Sequence, residues 1–329
     1  MGRGPFMRSK TQKGGVTVAF SRKKEKLPVL EGANSNSAIV RQQTISAYLF
    51  LLPALIFFVG FVVVPMVLCL TTSFFNYTMG KPLTFVGFGN YIEAFRDVVF
   101  RKSFRNTVIL VAVAVPTVTA FSLWVSCAIY KMKAVRRSFY RVVFYLPVVT
   151  GTVAVAVVWK WIFNKYNGVL NYLMTATGAI DRNISWLGET KTALACIILI
   201  LFTTSIGQPI VLYVAALGNV DPTLIDAAEV DGAKNHQVFW HIKWPQIMPT
   251  TLYILVITTI NSFQCYALIQ LLTSGGPDYA TSTIMYYIYY VAFSSSAYRY
   301  GYANAMGVIL AIIIAILSAI QFKFAGESN

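Results

Sequence analysis

Six runs of this chain, at about 45–73, 106–130, 142–159, 192–217, 246–272 and 301–322, contain no Lys, Arg, Asp or Glu. Crossing the hydrocarbon core of a bilayer takes roughly 20 mainly apolar residues in a helix. Five of the runs exceed that; the third is the shortest and is read as a span reaching 163. Because lipid offers no partner to backbone N–H and C=O groups, such runs can be buried there only as helices or closed barrels, and runs this long are helical. The expectation is an all-α integral membrane protein with six transmembrane helices. Composition agrees: 57% of the 329 residues are hydrophobic, 12% are charged and the mean hydropathy is +0.62, too apolar for an ordinary soluble domain. Prolines at 53, 65, 116, 147, 209 and 249 fall in or at the ends of the runs and predict kinks.

Orientation follows from positive charge. Residues 1–43 carry nine Lys or Arg against two acids, and the connector after the second run carries Lys131, Lys133, Arg136, Arg137 and Arg141 with no acid. Both are therefore expected in the cytoplasm. Six spans then place both termini and the connector 221–249 on that side. Two parts are expected: a basic cytoplasmic leader, 1–43, of disordered composition and suited to touch anionic lipid, and a transmembrane domain, 44–329. The first run begins too late and is too long for a signal peptide, so it is read as a permanent anchor. The net charge of +15 is not a nucleic-acid signal, because the basic residues gather at membrane borders.

A further stretch, 279–298, is also free of charge and long enough to cross. It is crowded with Tyr286, Tyr287, Tyr289, Tyr290 and the three consecutive serines 294–296, which favour the headgroup zone. It is read as an external interfacial or re-entrant helix entered through Gly275-Gly276-Pro277.

The runs hold no ionisable group of the kind a proton-coupled carrier or voltage sensor keeps in its membrane segments. Their polar groups are neutral: Thr119, Ser122 and Ser126 in the second, Thr204 and Gln208 in the fourth, Thr258, Asn261, Ser262 and Gln264 in the fifth. With Phe263 and Tyr266 beside them, such groups suit a sugar, whose hydroxyls need hydrogen bonds and whose C–H faces stack on rings. They equally suit hydrogen bonds between helices. The candidate pathway set is Thr204, Gln208, Thr258, Asn261, Gln264 and Tyr266. Cys69, Cys127, Cys196 and Cys265 lie in different runs without metal spacing and read as small core residues. No G-x-x-x-x-G-K-[ST], G-x-S-x-G or H-E-x-x-H pattern occurs, so neither an ATPase nor another enzyme is expected in this chain.

The connector 221–249 reads DPTLIDAAEVDGAKNHQVFWHIKWPQIMP. Asp221, Asp226, Glu229 and Asp231 are four of the chain's twelve carboxylates within eleven residues, and His236 and His241, at poor metal spacing, follow at once. Asp221-Pro222 suits the cap and first turn of a helix, Gly232 the break before a second, and Phe239, Trp240 and Ile242 are apolar anchors for a soluble partner.

Asp226-Ala227-Ala228, Asp231-Gly232, Ile242 and Pro245 resemble the EAA loop of the membrane subunits of ABC importers, with Asp226 in place of Glu and Trp244 in place of Leu. Phe85-Val86-Gly87-Phe88-Gly89-Asn90-Tyr91, Asn106-Thr107, Leu146-Pro147, Trp159-Lys160, Gly168 to Asn171 and the stretch LLTSGGPDYATSTIMYYIYYVAF at 271–293 are similar to segments of the carbohydrate-uptake permeases. The likeness runs from about 45 to 323. It implies the type I ABC importer permease fold and a place in the bacterial inner membrane. It also implies a second homologous permease subunit, a dimeric ATPase that uses ATP and Mg, and an extracytoplasmic solute-binding protein. No cofactor would be bound by this chain. Asp226 would meet a basic residue of the ATPase, Gly232 would be the backbone break and Pro245 would fix entry into the fifth span. The alternatives are an importer of another solute, such as glycerol phosphate, or a self-sufficient carrier or channel that needs no ATP.

Overall fold

The computed structural model describes residues 33–326, with side chains for 40–323; most of the basic leader lies outside the described residues. The chain divides into two units at Phe61. The described part of the first is helix α1 (Ala33–Phe58), which starts inside the stretch expected as leader and continues into a π-helical turn, Val59–Val63. Leu49, Phe50, Phe57 and Phe61 are all exposed, with no polar face set apart. A helix apolar all round belongs in a core or in lipid.

The second unit opens with α2 (Val64–Thr72), which has Pro65 in its first turn. A short hairpin, β1 (Phe75–Asn76) and β2 (Thr84–Phe85), follows, with Phe75 opposite Phe85. Helix α3 (Gly89–Arg96) is tied to it by Asn90, which donates to the Ser73 and Phe75 carbonyls at 2.8 and 2.9 Å. Helix α4 (Val98–Ile129) starts earlier than the charge-free run because the Asp97 carboxylate accepts from the Val99 N–H at 2.8 Å and caps it.

The expected third span is not one helix. Helices α5 (Ala134–Val149) and α6 (Thr152–Ile162) meet at 96° across Thr150 and Gly151, both in extended backbone. Helix α7 (Val169–Ala176) is anchored by Asn171, whose oxygen accepts from the Trp186 indole at 2.8 Å and whose amide donates to the Ile184 carbonyl at 2.9 Å. The fourth span is bent by 41° between α8 (Ala193–Ser205) and α9 (Gly207–Gly218). Pro209 has no N–H for the Ser205 carbonyl, and that is where the helix gives. A Cβ on Gly207 would sit 2.4 Å from the Phe144 carbonyl oxygen, so α5 can lie on α9 only because this residue is glycine.

The connector forms α10 (Pro222–Val230) and α11 (Asn235–Val238). A π-helical turn, Phe239–Lys243, then leads without interruption into α12 (Trp244–Phe263). The expected fifth span ends at Phe263; the backbone breaks at 264–266 and α13 (Ala267–Leu272) completes it. Helix α14 (Ile284–Tyr289) with its π-helical continuation Tyr290–Ser294 is too short to cross. It is also more deeply packed than a surface helix. Tyr286 and Tyr287 are buried, and Tyr286 donates to the Ser274 carbonyl at 2.7 Å, while Tyr290 and Phe293 face outward. Helix α15 (Tyr300–Gly326) ends the fold.

Among the described residues three helices, Val40–Thr72, Val98–Ile129 and Tyr300–Lys323, are long and apolar enough to cross a membrane singly, and five if each bent pair counts as one. Helix α12, 20 residues long, is not in that set; it carries Gln246, Asn261, Ser262 and two threonine pairs.

Within the second unit α4 packs along α8, α9 and α12, and α12 along α15. Leu110, Ile197, Ile200, Ile210, Ile254 and Met306 are wholly buried between them. Ser122 and Ser126 donate to the Ile206 and Ile210 carbonyls at 3.3 and 3.1 Å, so these two polar residues of the second span join α4 to α9. Asn106 donates to the carbonyls of Tyr279 and Ser282 at 2.9 and 3.0 Å, and the Thr107 hydroxyl accepts from the Ile284 N–H at 2.9 Å. The pair that opens the second charge-free run thus holds the segment leading into α14.

Candidate functional site

The connector is built as two exposed arms around one glycine. The Asp221 carboxylate accepts from the Thr223 N–H at 2.9 Å and from its hydroxyl at 2.8 Å, capping α10 and holding the Asp221 pKa below the usual aspartate range. Asp226, Ala227, Glu229 and Val230 face solvent, Val230 at 87% exposure, while Ile225 turns towards Tyr213, Leu217 and Val220. Asp231 ends the helix. Gly232 follows at φ +80°, and the Ala233 N–H donates to the Ala228 carbonyl at 2.9 Å, the pattern of a helix closed by a left-handed residue.

The second arm runs without interruption through the π-helical turn into α12, and Pro245 sits in the first turn of α12, at the entry to the fifth span. Of the three expected anchors, Trp240 is 56% exposed and lies edge-on to Phe239 at 5.2 Å and beside Trp244 at 5.5 Å. Phe239 is half-buried. Ile242 is not a free anchor: four residues after buried Val238, it packs into the chain's own cluster of Tyr213, Leu217, Ile247 and Ile254. His236 and His241 are exposed, and no metal-holding group of side chains occurs among the described residues.

Lys243 went unforeseen. It is only 6% exposed, and its ammonium donates to the Tyr130 hydroxyl at 2.5 Å and lies 5.1 Å from that ring's centre. The contact joins the connector to the end of α4 across 113 residues, a separation over which local sequence carries no signal.

All six candidate pathway residues come together. Thr204, Gln208, Thr258 and Asn261 line a cavity of about 160 Å³ between α5, α9 and α12. Gln264 and Tyr266 line a second, of about 250 Å³, at the α5–α6 bend, and Thr204 and Val148 belong to both. The break at 264–266 turns Gln264 and Tyr266 towards that bend. Thr150 and Thr152, which flank it, and Ser205 and Tyr253 complete the polar lining and were not singled out from sequence. Thr204 is satisfied locally by the Ile200 and Leu201 carbonyls, whereas among the described residues the Gln208, Asn261 and Gln264 amides make no side-chain hydrogen bond. No charged side chain lines either cavity. Larger hollows of about 770 and 640 Å³, lined almost wholly by carbon, lie elsewhere, and a third, of about 510 Å³, adjoins the first polar cavity at Gln208 and Leu212 with Arg141 in its wall. Unpaired amides facing a space are available to a solute or to water, which is not the arrangement of groups used to bind helices together.

Broken helices, a polar cavity at the breaks and an exposed two-armed connector define a helical membrane transport component. The family described as "Binding-protein-dependent transport system inner membrane component" matches residues 119–325, and the chain belongs to that family. It is 33% identical to the probable ABC transporter permease protein YurN of Bacillus subtilis over 87% of this chain and 98% of that one. To the lactose transport system permease protein LacF of Rhizobium radiobacter it is 29% identical, over 89% and 98%. Its fold matches a chain of the bacterial alginate ABC transporter solved with an alginate pentasaccharide-bound periplasmic protein, with a TM-score of 0.73 at 24% identity over 85% and 93%. The chain is thus a multi-pass membrane transport component and not an enzyme.

Proposed function

We propose that this chain is the permease subunit of an ATP-driven importer for a sugar or oligosaccharide, forming half of its translocation pathway. The observation that carries the reading is the convergence of Gln208, Asn261 and Gln264, with Tyr266 and Tyr253, on two adjoining cavities with no charged side chain in their own linings. Neutral amides and hydroxyls beside aromatic rings match a polyol and offer nothing to fix a strongly ionic solute. The lactose and alginate transporters among its relatives support a saccharide.

In this reading α5–α6, α8–α9 and α12–α13 are each one interrupted span, which brings the crossings to six and leaves both termini and the connector in the cytoplasm. A second homologous permease subunit supplies the other half of the pathway, and an extracytoplasmic binding protein delivers the solute. A dimeric ATPase that binds ATP and Mg receives Leu224, Asp226, Val230 and Trp240. Because the second arm is continuous with α12, movement of the ATPase reaches Asn261 and Gln264 along one helix.

The test is uptake of radiolabelled saccharides by the complete transporter in proteoliposomes. Asn261→Leu with Gln264→Leu should slow transport about tenfold or more, as expected for hydrogen bonds worth roughly 1–3 kcal/mol, while ATP hydrolysis without solute persists. Unchanged transport would refute the pathway assignment, and uptake by this chain alone without ATP would refute the importer reading.

A further inference from the structure

A hollow of about 770 Å³ lies between α2, α3, α4 and α15 and shares no lining residue with the polar cavities. Phe74, Phe95, Phe104, Ile309 and Ile312 line it with carbon, and a single charged side chain, Arg101, stands in its wall. Its size is that of a small-molecule site. Nothing in the transport reading uses it.

The charge around it is unbalanced. Arg101 and Arg105 lie one turn apart on the exposed face of α4, and Arg96 ends α3 just before them. The acids at this end are already engaged. Glu93 holds Arg299 through two hydrogen bonds of 2.7 and 2.6 Å, and Asp278 holds Lys102 at 2.9 Å. Asp97 accepts from the Tyr287 and Tyr302 hydroxyls at 2.6 and 2.8 Å and from the Val99 N–H. Arg101 and Arg105 make no ion pair among the described residues. Phe88 and Phe95 of its lining are exposed, as are Phe85 on β2 and Ile92 on α3, while α3 buries Asn90 and Ala94. Exposed aromatic residues beside arginines, on a short helix next to spanning ones, are the composition of a membrane interface.

We propose that this groove seats one anionic phospholipid, its phosphate on Arg101 and Arg105 and an acyl chain along Phe95, Phe104, Ile309 and Ile312. The carbon lining accounts for the chain and the two unpaired guanidiniums for the headgroup charge. The seat requires only that the protein lie in a membrane, so its failure would leave the saccharide reading standing, and the reverse.

The experiment uses the complete transporter in nanodiscs doped with photoactivatable phosphatidylglycerol, with labelled peptides mapped by mass spectrometry. Labelling should concentrate on the peptides holding Phe95, Phe104 and Ile309. Arg101→Gln with Arg105→Gln should lower it about tenfold, the loss expected for charge-assisted contacts, and Arg101→Lys with Arg105→Lys should retain most of it. Ile312→Trp, at an exposed position on the groove wall, should also displace the probe with both arginines intact. Equal labelling by a phosphatidylcholine probe, or labelling indifferent to all three changes, would mean ordinary annular lipid and overturn the proposal.

Discussion

A buried ammonium with no carboxylate is costly unless other groups replace its water. Lys243 has the Tyr130 hydroxyl. Tyr130→Phe removes the acceptor and leaves the charge in place, which should destabilise the protein by about 1–3 kcal/mol. Lys243→Met removes the charge along with its need and should cost less. Thermal unfolding of the detergent-purified protein should rank Tyr130→Phe below Lys243→Met, with the double variant no worse than Lys243→Met; the opposite order would mean that the phenol does not solvate the lysine. Asp97 behaves differently. Burial raises its pKa, but the hydrogen bonds from Tyr287, Tyr302 and the backbone outweigh burial and bring it below the ordinary value. A depressed carboxylate stabilises the fold above its unfolded pKa of about 4 and loses that contribution as pH falls through the lower folded value. Unfolding temperature should therefore fall on acidification in this acid window, and Asp97→Asn should flatten that part of the profile while lowering stability at neutral pH. An unchanged acid limb would remove Asp97 as its source.

Among the elements, the connector depends on Gly232. A Cβ there would meet nothing within 4 Å, so a substitution meets no clash and its whole effect lies in the backbone at φ +80°. A β-branched residue resists that conformation by about 1–2 kcal/mol, while asparagine visits it with less penalty. Gly232→Val should leave the protein inserted but uncouple uptake from ATP hydrolysis, and Gly232→Asn should keep most of the coupling, measured as solute moved per ATP hydrolysed. Full coupling in the valine variant would mean that the angle between the arms does not matter. The connector was legible because its signals are local: a cap, a proline, a glycine and exposed apolar residues in sequence order. The bend at Thr150 and Gly151 was not, since two residues without charge interrupt no hydropathy pattern. Ile242 was misread as an anchor because its face depends on what α12 packs against. The tyrosines of 286–290 divided between core and surface for the same reason, and Asp97 meets its partners 190 and 205 residues away.

For the whole molecule, the polar cavities are small, about 160 and 250 Å³. A disaccharide with its water needs more room, and ligands of drug size occupy some 300–1,000 Å³. In the proposed importer, a second chain of the same family facing this one across α5, α9 and α12 would supply that width. The outward faces of the helices fit an assembly as well: Trp124 is 69% exposed beside a carbon-lined hollow between α4 and α8. Extraction in mild detergent from the native membrane should therefore recover this chain with a second permease and an ATPase. Replacing Asp226 and Gly232 together should release the ATPase and spare the permease pair, because in the proposed importer the connector holds the one and the α5, α9 and α12 face the other. A stable assembly of this chain alone, transporting solute in liposomes without ATP, would instead mean that the cavities close on a second copy and that the connector serves a regulator.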